Sequence, residues 1–199
     1  MEHIAGAFYI NLDRRTDRRA EFEGECAAMG ICVERFPAIV DPTGFIGCHK
    51  SHLEVLKKAR CQGLHNVLIF EDDFKFIVSK EEFESNLNAF FDSNIEYDVL
   101  MLSYLLNNGE PHNEIVGRVK EAQTASGYIV HSRFYDTLID NLETNLAGLI
   151  DTHRHWIHLN DQCWKQLQPC AQWFYFQKRI GIQRPSYSDL SNRFAEYNV

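Results

Sequence analysis

"VLIFEDDFKF", residues 67–76, decides how the chain folds. Four apolar residues in a row suit a strand buried on both faces of a sheet. They run into Glu71, Asp72 and Asp73, and the chain turns apolar again at Phe74. Three adjacent carboxylates at the edge of a core repel one another, which raises their pKa values unless something positive relieves them. A hard divalent cation gives that relief. Mg²⁺ or Mn²⁺ takes oxygen ligands, commonly one or two carboxylates, and completes its shell with water and phosphate oxygens. An extended backbone through 71–73 would set Glu71 and Asp73 on one side, ready for a metal, and Asp72 on the other, facing a ligand hydroxyl. The plain alternative is a polar strand end with helix-capping acids.

Working outward, "AFYINL" (7–12) predicts a buried first strand. Thr16 or Asp17 can cap the helix that follows, and Gly30 stops it. "VERFPAI" (33–39) predicts a short second strand, and the turn-rich "DPTGFIG" leads into a helix over 48–62 that ends at Gly63. Leu53, Leu56 and Ala59 recur on one face of it. Cys26 and Cys61 fall in these helices as small buried hydrophobes. After the strand 66–70, Ser79 and Glu82 stand at capping-box spacing before another helix. "DVLMLS" (98–103) and "GYIVH" (127–131) read as strands, with "NNGEPHNE" (107–114) between them as a loop or hairpin tip. A helix is expected over 132–143, a less periodic stretch over 145–165 with a short helix after Asn160, strand and turn over 173–183, and an irregular tail. Strands alternating with helices predict one α/β domain with parallel neighbours, covered on both faces.

The composition agrees with one domain. The chain has 199 residues, of which 45% are hydrophobic and 13% aromatic, enough for a sizeable core. A net charge of −8 without an extended basic tract argues against nucleic acid as a partner. The local cluster of Arg14, Arg15, Arg18 and Arg19 suits a small anion instead. No apolar run approaches the roughly 20 residues of a transmembrane segment. The opening residues lack the pattern of a secretory signal, so a cytoplasmic location is the expectation. Six cysteines without a C-x-x-C pair fit reduced thiols. "HRHWIH" (153–158) lacks the glutamate of an H-E-x-x-H zinc motif.

A first strand entering a basic turn, and a later strand ending in acids, together suit a nucleoside diphosphate gripped from both ends. In open α/β sheets, ligands lie at the carboxyl ends of the strands.

Six segments occur in an order that resembles the family 25 glycosyltransferases, which include lipooligosaccharide-biosynthesis enzymes and collagen galactosyltransferases. They are "FYINLDRRTDRR" (8–19), "GCHKSHLEVLKKA" (47–59), "NVLIFEDDFKF" (66–76), "YDVLMLS" (97–103), "TASGYIVHSRFYDTLI" (124–139) and "PSYSDLS" (185–191). The resemblance implies a single Rossmann-like A-type glycosyltransferase domain over 1–199, with a mixed, mostly parallel sheet. It implies an inverting transfer of galactose or glucose from a UDP-sugar donor to a glycan or hydroxylated protein acceptor, with Mn²⁺ (or Mg²⁺). Glu71 and Asp73 would hold the metal, and Asp72 would complete a D-x-D-like motif. Asn11, Leu12, Arg14 and Arg18 would lie beside the nucleotide, and Gly47, Cys48, Ser51 and His52 close to the donor. The family's later acid matches Asp161, but Gln162-Cys163 departs from the usual aromatic context, and Asp151 is a rival. Inversion needs one base to take the acceptor proton, and these two acids are the candidates for it. Gly127 and Tyr128 would form the floor near the sugar, and Ser186, Ser188 and Asp189 would close over the donor. Trp156, Trp164 and Trp173 read mostly as core, with one able to stack on an acceptor ring. Two other readings stand beside this one: a degenerate member that binds without transfer, and a metal-dependent phosphohydrolase.

Overall fold

Continuous apolar runs on the inner β-strands bury both faces of a central sheet, and the helices that cover it follow from that. The computed structural model describes residues 2–188 and 193–195. In chain order the elements are β1 (Ala7–Asn11), α1 (Thr16–Met29), β2 (Glu34–Pro37), α2 (Gly44–Cys61), β3 (Asn66–Glu71), β4 (Phe74–Phe76) and α3 (Lys80–Asp92). Then come β5 (Val99–Met101), β6 (Leu105–Pro111), β7 (Val116–Gln123), β8 (Gly127–His131) and α4 (Tyr135–Thr152). The chain continues through α5 (His155–His158), α6 (Asn160–Cys163), β9 (Trp173–Phe176), β10 (Gly181–Gln183), β11 (Ser186–Ser188) and β12 (Arg193–Ala195).

The main sheet has eight strands in the order β2-β1-β3-β8-β5-β9-β7-β6. Six of them run one way, while β7 and β8 run against them. That is the mixed, mostly parallel sheet expected. β1 has β2 on one side and β3 on the other, both parallel to it, so the strand order reverses there. Such a switch point opens a crevice at the carboxyl ends of the strands.

Along β3 the side chains alternate. Val67 and Ile69 enter a core layer with Leu53 and Leu56 of α2 and with Leu138 and Leu142 of α4. Leu68 and Phe70 enter the opposite layer with Phe22 and Cys26 of α1 and Phe83, Leu87 and Phe90 of α3. α1 stops where predicted, at Gly30, whose φ of 68° is the left-handed conformation that glycine takes without a Cβ clash. Ser79 caps α3 by accepting the Glu82 N–H at 3.2 Å. Trp164 and Trp173 are core residues, whereas Trp156 is 62% exposed. The six cysteines are free.

Several expectations need correction. α2 starts at Gly44 rather than Cys48, because Thr43 and Gly44 open the helix instead of preceding it. Cys61 is exposed, unlike buried Cys26. The stretch 107–114 is the end of a hairpin, one of its two readings, but it is mostly strand: β6 turns at 112–115 and returns as β7, a strand the pattern does not reveal. β6 is an edge strand with no buried residue, so it lacks the apolar alternation that marks a strand in sequence. α4 continues to Thr152, past Asn145 and Gly148. Gly148 stays bare because the His158 ring occupies the place a Cβ would take, 2.7 Å away. In the tail, β11 and β12 form an antiparallel pair. No helix among the described residues is long and apolar enough to cross a membrane.

Candidate active site

The crevice at the switch point is a cleft lined by Leu12, Arg14 and Arg18 after β1, and by residues 38–41 after β2. Cys48, Ser51 and His52 of α2 and the acids 71–73 complete it, with Gln183 of β10. Its α2 wall is close-packed. A Cβ on Gly47 would lie 2.5 Å from the Ile39 carbonyl oxygen, so only glycine lets the loop approach. Ser51 fastens the same contact: its hydroxyl donates to Gly47 O at 2.7 Å and accepts the Ile39 N–H at 2.8 Å.

The acidic turn divides into two parts. β3 ends at Glu71 and the chain bends at Asp72–Asp73, so the simple alternation of side chains expected for 71–73 does not hold. Instead, Asp72 and Asp73 share one cation. Arg18, in the first turn of α1, donates from Nη1 to Asp72 Oδ1 at 2.8 Å and to Asp73 Oδ2 at 3.2 Å. Its Nη2 reaches the Tyr187 carbonyl oxygen at 3.0 Å. Asn11 Nδ2 donates to Asp72 Oδ2 at 2.7 Å, and Asn11 Oδ1 accepts from Arg35 Nε at 3.0 Å. Asn11 is therefore a buried brace for Asp72. Gln183 Nε2 donates to Asp73 Oδ2 at 3.1 Å. Asp73 Oδ1 is buried and meets no hydrogen-bond donor among the described residues.

Glu71 belongs to a different set. Its Oε1 sits 3.0 Å from His52 Nε2 and accepts the Cys48 thiol at 3.7 Å. His52 Nδ1 lies 2.8 Å from the Tyr128 hydroxyl. Cys48 and His52 are four residues apart on α2, one helical turn, so both face the strand end.

Electrostatics follow the partners. Burial drives the Asp73 carboxyl up, the charges of Glu71 and Asp72 add to that, and Arg18 only partly offsets them, leaving it at about 7. Asp72 is raised by burial against the opposing pull of Arg18 and Asn11. Burial also pushes Glu71 up, but the His52 hydrogen bond and the charges of His52 and Arg18 win, and its carboxyl ends below the usual range. The Cys48 thiol lies well above its ordinary value, from burial and then from the negative charge of Glu71 and Asp161.

Asp161 lies at the start of α6, close enough to act electrostatically on Cys48 and to be acted on by Glu71. Its Oδ2 accepts the Thr124 N–H at 3.2 Å. Thr124 has φ of 87°, strained for a β-branched residue, and such strain gathers at functional sites. Burial raises the Asp161 carboxyl despite its hydrogen bonds. Asp151 is exposed in the last turn of α4, and neither it nor Asp161 is among the residues that line the cleft.

Gly127 also differs from the expectation. A Cβ there would lie 2.4 Å from the Phe74 ring, so the glycine makes room for core packing and does not floor the cleft. Its neighbour Tyr128 points to the other face and lies behind His52, with its hydroxyl 2.8 Å from Nδ1. Asp189 lies outside the described residues, and for Ser186 and Ser188 only the backbone, in β11, is described. Gln183, Thr124 and the Tyr187 carbonyl were not found from sequence. Their contacts bridge distant parts of the chain, and no local pattern marks them.

Among the described residues, Cys48, His52 and Glu71 form one group able to hold a metal ion, their ligand atoms all within 4.8 Å of one another. A cation at the expected position would also fit, because Asp73 Oδ1 meets no donor among the described residues and the charges of Glu71 and Asp72 outweigh the offset from Arg18.

Residues 42–132 match the sequence model of "Glycosyltransferase family 25 (LPS biosynthesis protein)". A "Glycosyltransferase 25 family member" of Drosophila pseudoobscura pseudoobscura is 32% identical over a stretch covering 38% of this chain. The match spans 16% of that relative's length. The resemblance seen in the sequence is borne out by both. A solved glycosyltransferase involved in the glycosylation of the major capsid of PBCV-1 superposes with a TM-score of 0.52 at 10% identity, over 95% of this chain and 90% of that one. At that identity the likeness is one of fold.

Proposed function

We propose that this relative of the family 25 glycosyltransferases is a metal-dependent, inverting hexosyltransferase that moves galactose or glucose from a UDP-sugar to a hydroxyl of a glycan or protein acceptor. One observation carries the reading: at the switch point of the sheet, a buried carboxylate oxygen of Asp73 meets no donor among the described residues and lies beside the basic first turn of α1. A diphosphate with its cation would match both features, since the cation would satisfy the carboxylate and the basic turn would add positive charge beside the phosphates.

Asp73 and Glu71 would hold Mn²⁺ or Mg²⁺, which when bound offsets the charge gathering on the leaving diphosphate. Arg14 and Arg18 line the same wall and add positive charge there. Asp72, braced by Asn11 and Arg18, fixes the turn rather than meeting the donor. Leu12 and residues 38–40 form an apolar edge for the nucleoside. Asp161 is the proposed base. The acceptor oxygen bonds to C1 of the sugar, the bond from C1 to the diphosphate oxygen breaks, and the acceptor proton passes to Asp161. A carboxyl raised by burial is suited to that task near neutral pH.

The test is a panel of nucleotide-sugars with Mn²⁺, read as transfer or donor hydrolysis. Asp161→Asn should lower turnover by about 10²–10⁴-fold while donor binding persists. Asp151→Asn should leave the rate unchanged. Donor binding with neither transfer nor hydrolysis across the panel would favour a protein that binds without turnover.

A further inference from the structure

We propose that Cys48, His52 and Glu71 form a second, chemically distinct ion site in the inner wall of the cleft, one that takes zinc or another thiophilic divalent ion. The position at Asp73 offers oxygen alone. This group offers a thiol sulfur, an imidazole nitrogen and a carboxylate oxygen, and their ligand atoms all lie within 4.8 Å of one another. Hard cations such as Mn²⁺ prefer all-oxygen shells, whereas a sulfur–nitrogen–oxygen set with an open fourth position is a zinc set. Two ligands come from one face of α2 and the third from the end of β3, so rigid elements present all of them.

Support behind the ligands is also in place. The Tyr128 hydroxyl lies 2.8 Å from His52 Nδ1, the nitrogen turned away from Glu71. A metal-bound histidine needs such a partner to fix its ring and tautomer. A hydroxyl suits both states: it donates to Nδ1 while Nε2–H faces Glu71, and accepts from Nδ1–H once Nε2 binds the ion. The thiol proton leaves to solvent as sulfur becomes the thiolate ligand, and Nε2 gives up its proton, to Nδ1 from a neutral ring or to solvent from a protonated one. Negative charge from Glu71, Asp161 and Asp73 surrounds the thiol, a setting that a divalent cation relieves. Glu71 is shared with the proposed Mn²⁺ position, so zinc would compete with donor binding. That consequence rests on the function proposed above; ion binding itself does not.

The experiment uses the metal-free chain with Co²⁺ alone as the probe. A near-ultraviolet thiolate-to-cobalt band, saturating at one ion per chain and displaced by Zn²⁺, is expected. Cys48→Ser should abolish the band, and Tyr128→Phe should weaken Zn²⁺ binding by about 10–100-fold. Absence of the band overturns the proposal, and so does its survival in Cys48→Ser, which would place binding at another cysteine. A crystal of the parent chain soaked in zinc gives a check that needs no variant. An anomalous peak between the three side chains supports the site, and peaks confined to other positions refute it.

Discussion

Glu71 and Asp73 stand two residues apart in one acidic turn, yet they settle in opposite electrostatic states. Glu71 meets an imidazole and a thiol on α2, and its carboxyl falls below the usual range. Asp73 shares Arg18 with Asp72, keeps one oxygen without a donor among the described residues, and rises to about 7. Burial acts on both in the same direction, so the difference comes from partners. One guanidinium divided between two carboxylates cannot neutralise both, and the remaining deficit is what a bound cation would fill. The Asp72–Asp73 side is thus held by charge, and the Glu71 side by a chain of hydrogen bonds.

Removing the shared cation should break that contrast most strongly. Arg18→Ala leaves two buried carboxylates facing each other, and deleting one partner of a buried ion pair typically costs about 3–5 kcal/mol. Urea unfolding without divalent ions should show a loss of that size. A loss under about 1 kcal/mol, the range of an exposed pair, would mean Arg18 does not hold the turn.

Asp73→Asn acts on the same side in the other direction. The amide removes one of the repelling charges, so metal-free stability should change little or rise. The parent chain with Mn²⁺ and a UDP-sugar at 100 times their dissociation constant should gain about 2.7 kcal/mol. The variant should gain none. A gain that survives the substitution would move the cation away from Asp73.

How much of this was legible in the sequence depends on whether local pattern or distant contact decides each feature. β3 and β8 were readable because both are buried runs of β-branched and aromatic residues. β6 was not, since an exposed edge strand has no apolar alternation to betray it. The acidic triplet was legible as a site, but not its division, because the bend at Asp72–Asp73 ends the strand geometry on which the expectation rested. Gly127 and Tyr128 are neighbours that look alike as floor residues, yet adjacent strand positions face opposite layers, and only Tyr128 touches a cleft residue, His52. The bond from Gln183 to Asp73 spans 110 residues and leaves no mark in either local sequence.

The smallest expected effect tests the hydrogen-bonded side. Tyr128 is buried, and its ring packs edge-on against Trp164 and stacks near His52. Tyr128→Phe keeps those ring contacts and removes only the hydroxyl beside His52 Nδ1. A neutral hydrogen bond contributes about 0.5–1.5 kcal/mol net, so unfolding should show a loss of about 1 kcal/mol. The same substitution loosens the His52 ring, and with it the hold on Glu71. Arg18 and Asp72–Asp73 lie outside that chain, so the Mn²⁺-dependent gain should survive, reduced only by what Glu71 contributes. A loss as large as that of Arg18→Ala would show the two sides to be one network, since only a coupled network turns a missing hydroxyl into the failure of a charge cluster.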